Sequence, residues 1–380
     1  MLKGSQVAND LWRRGVAVQF RIAIPLLCWG AQFAGAQIVI TPGNIFFPLS
    51  PGTVTIADIN DAHVKFKYAG VQFSANETNF IMVIPSSGTT PASVQIALNP
   101  NVAPQLRPSS TYGLVIQFTT VDQTPASSTS AVVTYRVPAE PPPAIQSVVN
   151  AASLHPVLSP GASVSIIGSH LTGPTLSTTF DDTASYPTSV ASTSVTFNGI
   201  AAPLLYVSPS QINAIVPFSL AGQTSVQVAV QRFERVSASV TVPLQDTAPA
   251  IFTSTQNGTG QAAILQQRSD GSFTYNSSSN PAPAGAFVEM FATGEGVWTP
   301  PPQSDVFVYG EPFTTLPVSL TIGGQPAKLL YPGTIGMYAN WSILQVNATV
   351  PSGLGSGPQP VVLTIGGNDN SRQAVVMWVQ

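Results

Sequence analysis

Ser194-Val195-Thr196-Phe197-Asn198-Gly199-Ile200-Ala201-Ala202-Pro203-Leu204-Leu205-Tyr206 and Ser319-Leu320-Thr321-Ile322-Gly323-Gly324-Gln325-Pro326-Ala327-Lys328-Leu329-Leu330-Tyr331 are two versions of one segment. They lie 125 residues apart and agree at seven of thirteen positions. Two more blocks stand in the same order. Gln211-Ile212-Asn213-Ala214-Ile215-Val216-Pro217 matches Gln345-Val346-Asn347-Ala348-Thr349-Val350-Pro351, and upstream Gly161-Ala162-Ser163-Val164 matches Gly285-Ala286-Phe287-Val288. Three collinear matches mark an internal duplication. The second copy carries nine extra residues between its last two blocks, around Gly333 to Ser342. Asn198-Gly199 and Gly323-Gly324 supply the positive φ that a two-residue hairpin turn demands. The flanking Val-Thr-Phe and Leu-Leu-Tyr stretches are expected to be the two strands of that hairpin. Asn213 and Asn347, set among apolar strand residues, are expected to hydrogen-bond loop backbone.

Outward from the duplication, strand signals dominate and helix signals are almost absent. Val64–Tyr68, Phe80–Ile84, Val94–Leu98, Leu114–Thr119 and Val132–Val137 are short, β-branched or aromatic, and bounded by Pro, Gly, Asn or Ser. Pro or Gly interrupts nearly every window that a helix could use, in keeping with 30 Gly and 35 Pro in 380 residues. The pattern predicts an all-β chain of three tandem antiparallel β-sandwiches. Pro138-Ala139-Glu140-Pro141-Pro142-Pro143 reads as a stiff, extended spacer. The expected division is a leader at 1–36, a first sandwich at 38–138, a linker at 139–144, a first repeat at 145–246 and a second repeat at 247–380.

The leader differs from everything after it. Lys3, Arg13, Arg14 and Arg21 precede an apolar run from Ile22 to Trp29, which leads to Ala34-Gly35-Ala36. That order is the pattern of a Sec-type signal peptide, with cleavage expected after Ala36. The expected address is secreted, periplasmic or cell surface. Cleavage takes away four of 13 basic and one of 16 acidic residues, leaving 9 and 15 and a net charge of −6. Cys28, the lone cysteine, departs with the leader, so no disulfide or thiolate chemistry is expected afterwards. No later apolar run reaches the roughly 20 residues that a spanning helix needs. With 8% charged residues and no basic excess, nucleic acid is not an expected partner.

Val148-Val149-Asn150-Ala151-Ala152-Ser153, Ser159-Pro160-Gly161 and Leu204-Leu205-Tyr206-Val207-Ser208-Pro209-Ser210-Gln211-Ile212-Asn213 resemble a C-terminal domain family abundant in exported proteins of Solibacter-type soil acidobacteria. Pro249-Ala250-Ile251-Phe252, Phe291-Ala292-Thr293-Gly294-Glu295-Gly296 and Leu344-Gln345-Val346-Asn347 continue the resemblance over roughly residues 145–380. The two copies are similar to the immunoglobulin-like repeats called IPT/TIG. The resemblance implies immunoglobulin-like sandwiches and export, and carries no catalytic residues. Phe80-Ile81-Met82-Val83-Ile84-Pro85-Ser86-Ser87-Gly88-Thr89-Thr90-Pro91-Ala92 with Tyr112-Gly113 resembles a BACON domain, an immunoglobulin-like module, although the tryptophan usual before that stretch is missing.

Chemistry is sparse in the same residues. His63, His155 and His170 are the only histidines, and none stands in a nucleophile or metal motif. All three read as surface or turn residues. Glu289 with Glu295, or Asp305 with Glu311, offers at most a weak carboxylate pair, and Asp181-Asp182 a weak calcium signal. No catalytic residue, cofactor or metal is therefore expected, and the chain is read as a non-enzyme. Aromatic residues give the better lead. Trp298, together with Trp341 and its neighbour Tyr338 in the insertion, could form a ligand platform on loops of the second repeat, because exposed rings stack on the apolar faces of sugars or anchor protein partners. Trp378, in the last strand, is expected in the core. The expected function is cell-surface or extracellular interaction or adhesion. Polysaccharide or an envelope or extracellular protein would be the partner. Carbohydrate binding through the loop aromatics, or a passive structural or assembly role in the envelope, are the alternatives.

Overall fold

The computed structural model describes residues 37–47, 53–58, 63–73, 79–173, 176–177, 186–299, 313–314, 316–334 and 342–380. Among these the chain is built of strands, joined by turns and short 3₁₀ segments such as Phe218–Leu220. The expected leader lies outside the described residues. Apolar side chains gather in three separate cores, one drawn from Ile38 to Val137, one from Val148 to Leu244 and one from Ile251 to Val379. Each is produced by period-2 alternation. In Ser225–Arg232, for example, Val226, Val228 and Val230 turn inward while Ser225, Gln227 and Gln231 face solvent. Burial of each such aliphatic side chain stabilises its sandwich by about 1.5–3 kcal/mol.

The N-terminal sandwich packs a four-stranded sheet (Ile38–Thr41, Thr53–Asp58, Ala92–Leu98, Ile81–Ile84) against a five-stranded one. The second sheet runs Asn44–Phe47, Ser128–Arg136, Thr111–Thr120, Lys65–Phe73, Ser87–Thr89, and its first pair is parallel. Phe66, Phe80 and Phe118 fill the space between the sheets.

The two copies of the duplicated segment fold alike down to their irregularities. Ser163–Ser169 pairs with Gln211–Ile215, which pairs with Leu204–Val207. In the second copy Phe287–Thr293 pairs with Leu344–Thr349, which pairs with Lys328–Thr334. A bulge falls between Leu204 and Tyr206 in the first copy and between Leu329 and Tyr331 in the second, at equivalent positions. Asn213 lies between Ser165 and Tyr206 across three strands, as Asn347 lies between Glu289 and Tyr331.

The hairpin expected at Asn198-Gly199 is real, with φ of 50° and 82°, but its second strand is not Leu-Leu-Tyr. Beyond the turn, the returning strand of this hairpin is only the two residues Ile200–Ala201. The chain then crosses at Pro203, which has no N–H to continue the ladder, and Leu204–Val207 joins the opposite sheet. The second copy does the same after Gln325–Pro326. Trp378 is also corrected. Val375, Met377 and Val379 take the inward positions of the last strand, so Trp378 faces out and is half-buried.

Candidate functional site

Trp298 is not part of an exposed platform. It is 1% exposed, its indole N–H donates to Glu295 Oε1 at 3.1 Å, and its ring lies 4.9 Å from that of Phe218. Phe218 belongs to the preceding sandwich, so Trp298 closes the junction between the two repeats. Ring burial outweighs exposure here because the neighbouring domain supplies an aromatic partner that the sequence of the second repeat alone does not contain. Tyr338 and Trp341 lie outside the described residues, as do Asp181, Asp182, Asp305 and Glu311.

The junction is built from close backbone approach and buried polar pairs. Gly294 (φ 89°) and Gly296 (φ 82°) lie flat on the segment that connects the repeats. A Cβ on Gly294 would stand 1.9 Å from the Ala248 carbonyl oxygen, and one on Gly296 2.2 Å from that of Asp246. Thr247 Oγ1 donates to Ile365 O at 2.8 Å, and Asn368 Nδ2 donates to Thr247 O at 3.1 Å. Ser163 N–H donates to Thr293 Oγ1 at 2.9 Å, and the Ser163 and Ser342 hydroxyls meet. Gln373, buried, accepts from Ile251 N–H at 2.9 Å and donates to Ala152 O at 3.0 Å. Asn150 accepts from Ala152 N–H at 2.9 Å and donates to Ala248 O at 3.1 Å.

Glu295 is enclosed in this junction at 1% exposure. Burial pushes its carboxyl up to about 8 against its hydrogen bonds, which pull the other way. Oε2 has no hydrogen-bond partner among the described residues. Burial therefore favours the neutral form of Glu295 in the folded junction. Glu289 is half-buried on the outer sheet face, where burial raises its carboxyl. His63 and His170 are exposed and His155 half-buried, each in a loop or turn. Among the described residues no three His, Cys, Asp or Glu side chains cluster to hold a metal, and no helix is long and apolar enough to cross a membrane.

A groove of about 660 Å³ runs along one side of the junction. One wall is the outer face of the strands Ala144–Asn150, Ser163–Ser169 and Gln211–Ile215, with Val149, Ser165, Ile167, Gln211 and Asn213. The other wall is the loop after Ile251, with Phe252, Thr253 and Gln256. Gly258 sets that loop against the first repeat, where a Cβ would meet Ser153 O at 2.5 Å. Asn213 does not bond loop backbone as expected. Its Oδ1 accepts from Ser165 Oγ at 3.1 Å and from Gln211 Nε2 at 2.8 Å. Asn347 keeps the second of these, accepting from Gln345 Nε2 at 3.0 Å. Sequence reading singled out Asn213 but missed Ser165, Phe252 and Thr253. Only their approach across two domains makes them a site, and no local motif encodes it. A crevice of about 320 Å³ near His155, Asp369 and Arg372 flanks the same junction.

The corresponding sheet face of the last sandwich carries a cross-strand row of its own. Cross-strand register aligns Tyr275, Leu265, Glu289, Asn347 and Tyr331 in one row, with Tyr275 71% exposed. Phe273 lies beside it, its ring 5.9 Å from that of Phe287.

No curated protein matches the chain. Among solved structures it is similar to a mixed-linkage glucan utilization locus protein, SGBP-B of Bacteroides ovatus, solved with a mixed-linkage heptasaccharide. The identity is 12% and the TM-score 0.28, over 91% of this chain and 64% of that one. The chain thus spans less than two thirds of that protein. The chaperone DraB of E. coli is similar at 13% identity and a TM-score of 0.23, over 55% of this chain and 97% of the chaperone. Extracellular cadherin domains 1–4 of protocadherin gamma B7 are similar at 12% identity and a TM-score of 0.17, over 88% and 73%. A family model gives the more specific finding: residues 143–244 match the IPT/TIG domain, an immunoglobulin-like fold, in a chain whose described residues are nearly all β.

Proposed function

We propose that the chain is an exported, non-enzymatic, multidomain protein that acts in cell-surface or extracellular interaction. The observation that carries this reading is the fastening of the IPT/TIG domain to the sandwich behind it. Buried hydrogen bonds from Gln373 to Ala152 and from Ser163 to Thr293, with the Phe218–Trp298 contact, hold two sandwiches as one body. Such a body presents its outer faces at a set angle, and preorganisation of this kind reduces the entropy cost of binding a partner. The basic and apolar leader pattern ending at Ala36 supports export. The division into 38–138, 145–246 and 247–380 belongs to the same proposal.

Fractionation of the native cells, with mass spectrometry of the mature N-terminus and cross-linking to surface components, tests it. The expected result is a chain beginning at Gln37, outside the cytoplasm and cross-linked to an envelope or extracellular component. Uncleaved chain in the cytoplasm would count against export. Hydrolysis of an ester, glycoside or peptide panel, lost on substituting one acidic or serine residue, would count against a non-enzyme.

A further inference from the structure

We infer that the groove between the IPT/TIG domain and the last sandwich is a binding site for a neutral oligosaccharide. At about 660 Å³ it falls within the range of small-ligand sites, which form preferentially between domains. No ionisable side chain lines it, so a charged ligand would lose hydration there without a compensating partner. The hydrogen-bonding groups are amides and hydroxyls. Asn213 accepts on Oδ1 from Ser165 and Gln211, and its Nδ2 group donates to no described residue, which leaves both hydrogens to the groove. Thr253 lies on the facing wall with its hydroxyl closed off from solvent, so the accessible polar groups are those of the opposite wall and Gln256. Amides and hydroxyls both donate and accept, as sugar hydroxyls do.

The remaining lining is apolar and suits the C–H face of a pyranose ring, with Val149 and Ile167 on one wall and Phe252 on the other. A peptide fits less well. Extended peptides add to sheets through an open strand edge. The strands Ser163–Ser169 and Gln211–Ile215 are paired on both sides, and only Ala144–Asn150, at the margin of the wall, is an edge strand, a route that the decapeptide below tests. What these strands offer to the groove is side chains. Both walls are held before any ligand arrives, one by its sheet and the other by the Gly258 approach and the Gln373 bridge. The inference gives the interaction protein proposed above a ligand class, and rests on that reading only in that the sugar is met outside the cell.

Isothermal titration of the full chain with neutral gluco-, xylo- and manno-tetrasaccharides tests the assignment. An oligogalacturonate and an uncharged decapeptide serve as competitors in class. The expected result is binding of at least one neutral tetrasaccharide and of neither competitor. Asn213→Leu, which removes the amide, should weaken binding about tenfold. Ser147→Trp, which fills the groove from a solvent-facing position, should abolish it. Tyr275→Ala, on the sheet face of the last sandwich, should leave it unchanged, and calorimetric melting of each variant confirms folding. The assignment is overturned by any of four results. These are no neutral sugar bound below a Kd of about 1 mM, binding indifferent to both groove variants, preference for the acidic sugar or the peptide, or loss on Tyr275→Ala. An exported chain that cross-links to a surface protein but binds no sugar would keep the proposed function and refute only this site.

Discussion

The IPT/TIG domain meets its two neighbours in opposite ways. Toward the N-terminal sandwich and the spacer the contacts are ionic, one pair exposed and one made by the buried Arg232. Arg107 pairs with Glu234 at 53% and 64% exposure, and Arg232 and Arg235 both reach Glu140 in the proline-rich spacer. Toward the last sandwich the contacts are neutral, buried and shape-dependent, with two glycines pressed on backbone, a tryptophan on a phenylalanine, and amides that bridge the domains. Exposed ion pairs contribute about 0–1 kcal/mol each and weaken in salt. Buried aromatic contacts and satisfied hydrogen bonds contribute about 0.5–1.5 kcal/mol each, beyond the area they bury, and are insensitive to salt. The contrast makes the first junction a tether and the second a joint.

The largest break in that contrast should come from Trp298→Ala. It removes a fully buried ring and leaves Glu295 without its donor, a loss of about 3–5 kcal/mol. Calorimetry should show the transition of the C-terminal pair falling by about 10 °C or more, with the N-terminal sandwich melting as before.

Alkaline pH comes next. The Glu295 carboxyl sits at about 8 in the folded junction against 4.5 unfolded, so the unfolded chain ionises first. Stability from this group is full below about 4.5, falls as pH rises toward 8, and is flat above. The loss amounts to a few kcal/mol over that window. Melting temperatures between pH 5 and 9 should decline in the wild type, and Glu295→Gln should remove most of the decline while keeping an acceptor for Trp298.

Gly294→Ala should cost about 2–3 kcal/mol, since a Cβ would require both the left-handed conformation and a space held by the Ala248 carbonyl. Urea midpoints of the C-terminal pair report it. The smallest effect is at the tether. Arg107→Ala should change stability by less than about 1 kcal/mol. Small-angle scattering should nevertheless show a broader range of angles between the first two sandwiches, and 0.5 M salt should reproduce that broadening in the wild type.

Much of this contrast was hidden in the sequence. Gly294-Glu295-Gly296 and Trp298 are adjacent and conspicuous, yet Glu295 read as half of a weak carboxylate pair with Glu289 and Trp298 as a loop aromatic. A glycine on each side of the acid is the one local signal of close backbone approach. The partner surfaces, Asp246 to Ala248 and Phe218, lie 46 to 80 residues away. Trp378 was misplaced for a simpler reason. Val375-Val376-Met377-Trp378-Val379 is apolar throughout, so its inward parity is unreadable until the sheet sets which side faces the core.

Sequence alone determined the all-β class and the duplication, because period-2 apolar alternation and glycine-bearing turns are local properties that each strand carries by itself. Tertiary structure alone decided which sheet Leu204–Val207 joins, that Trp298 is enclosed, and that Val149, Asn213 and Phe252 share a groove. Those outcomes depend on which surfaces meet when folded domains pack, and the free energy of such contacts belongs to pairs of residues far apart in the chain.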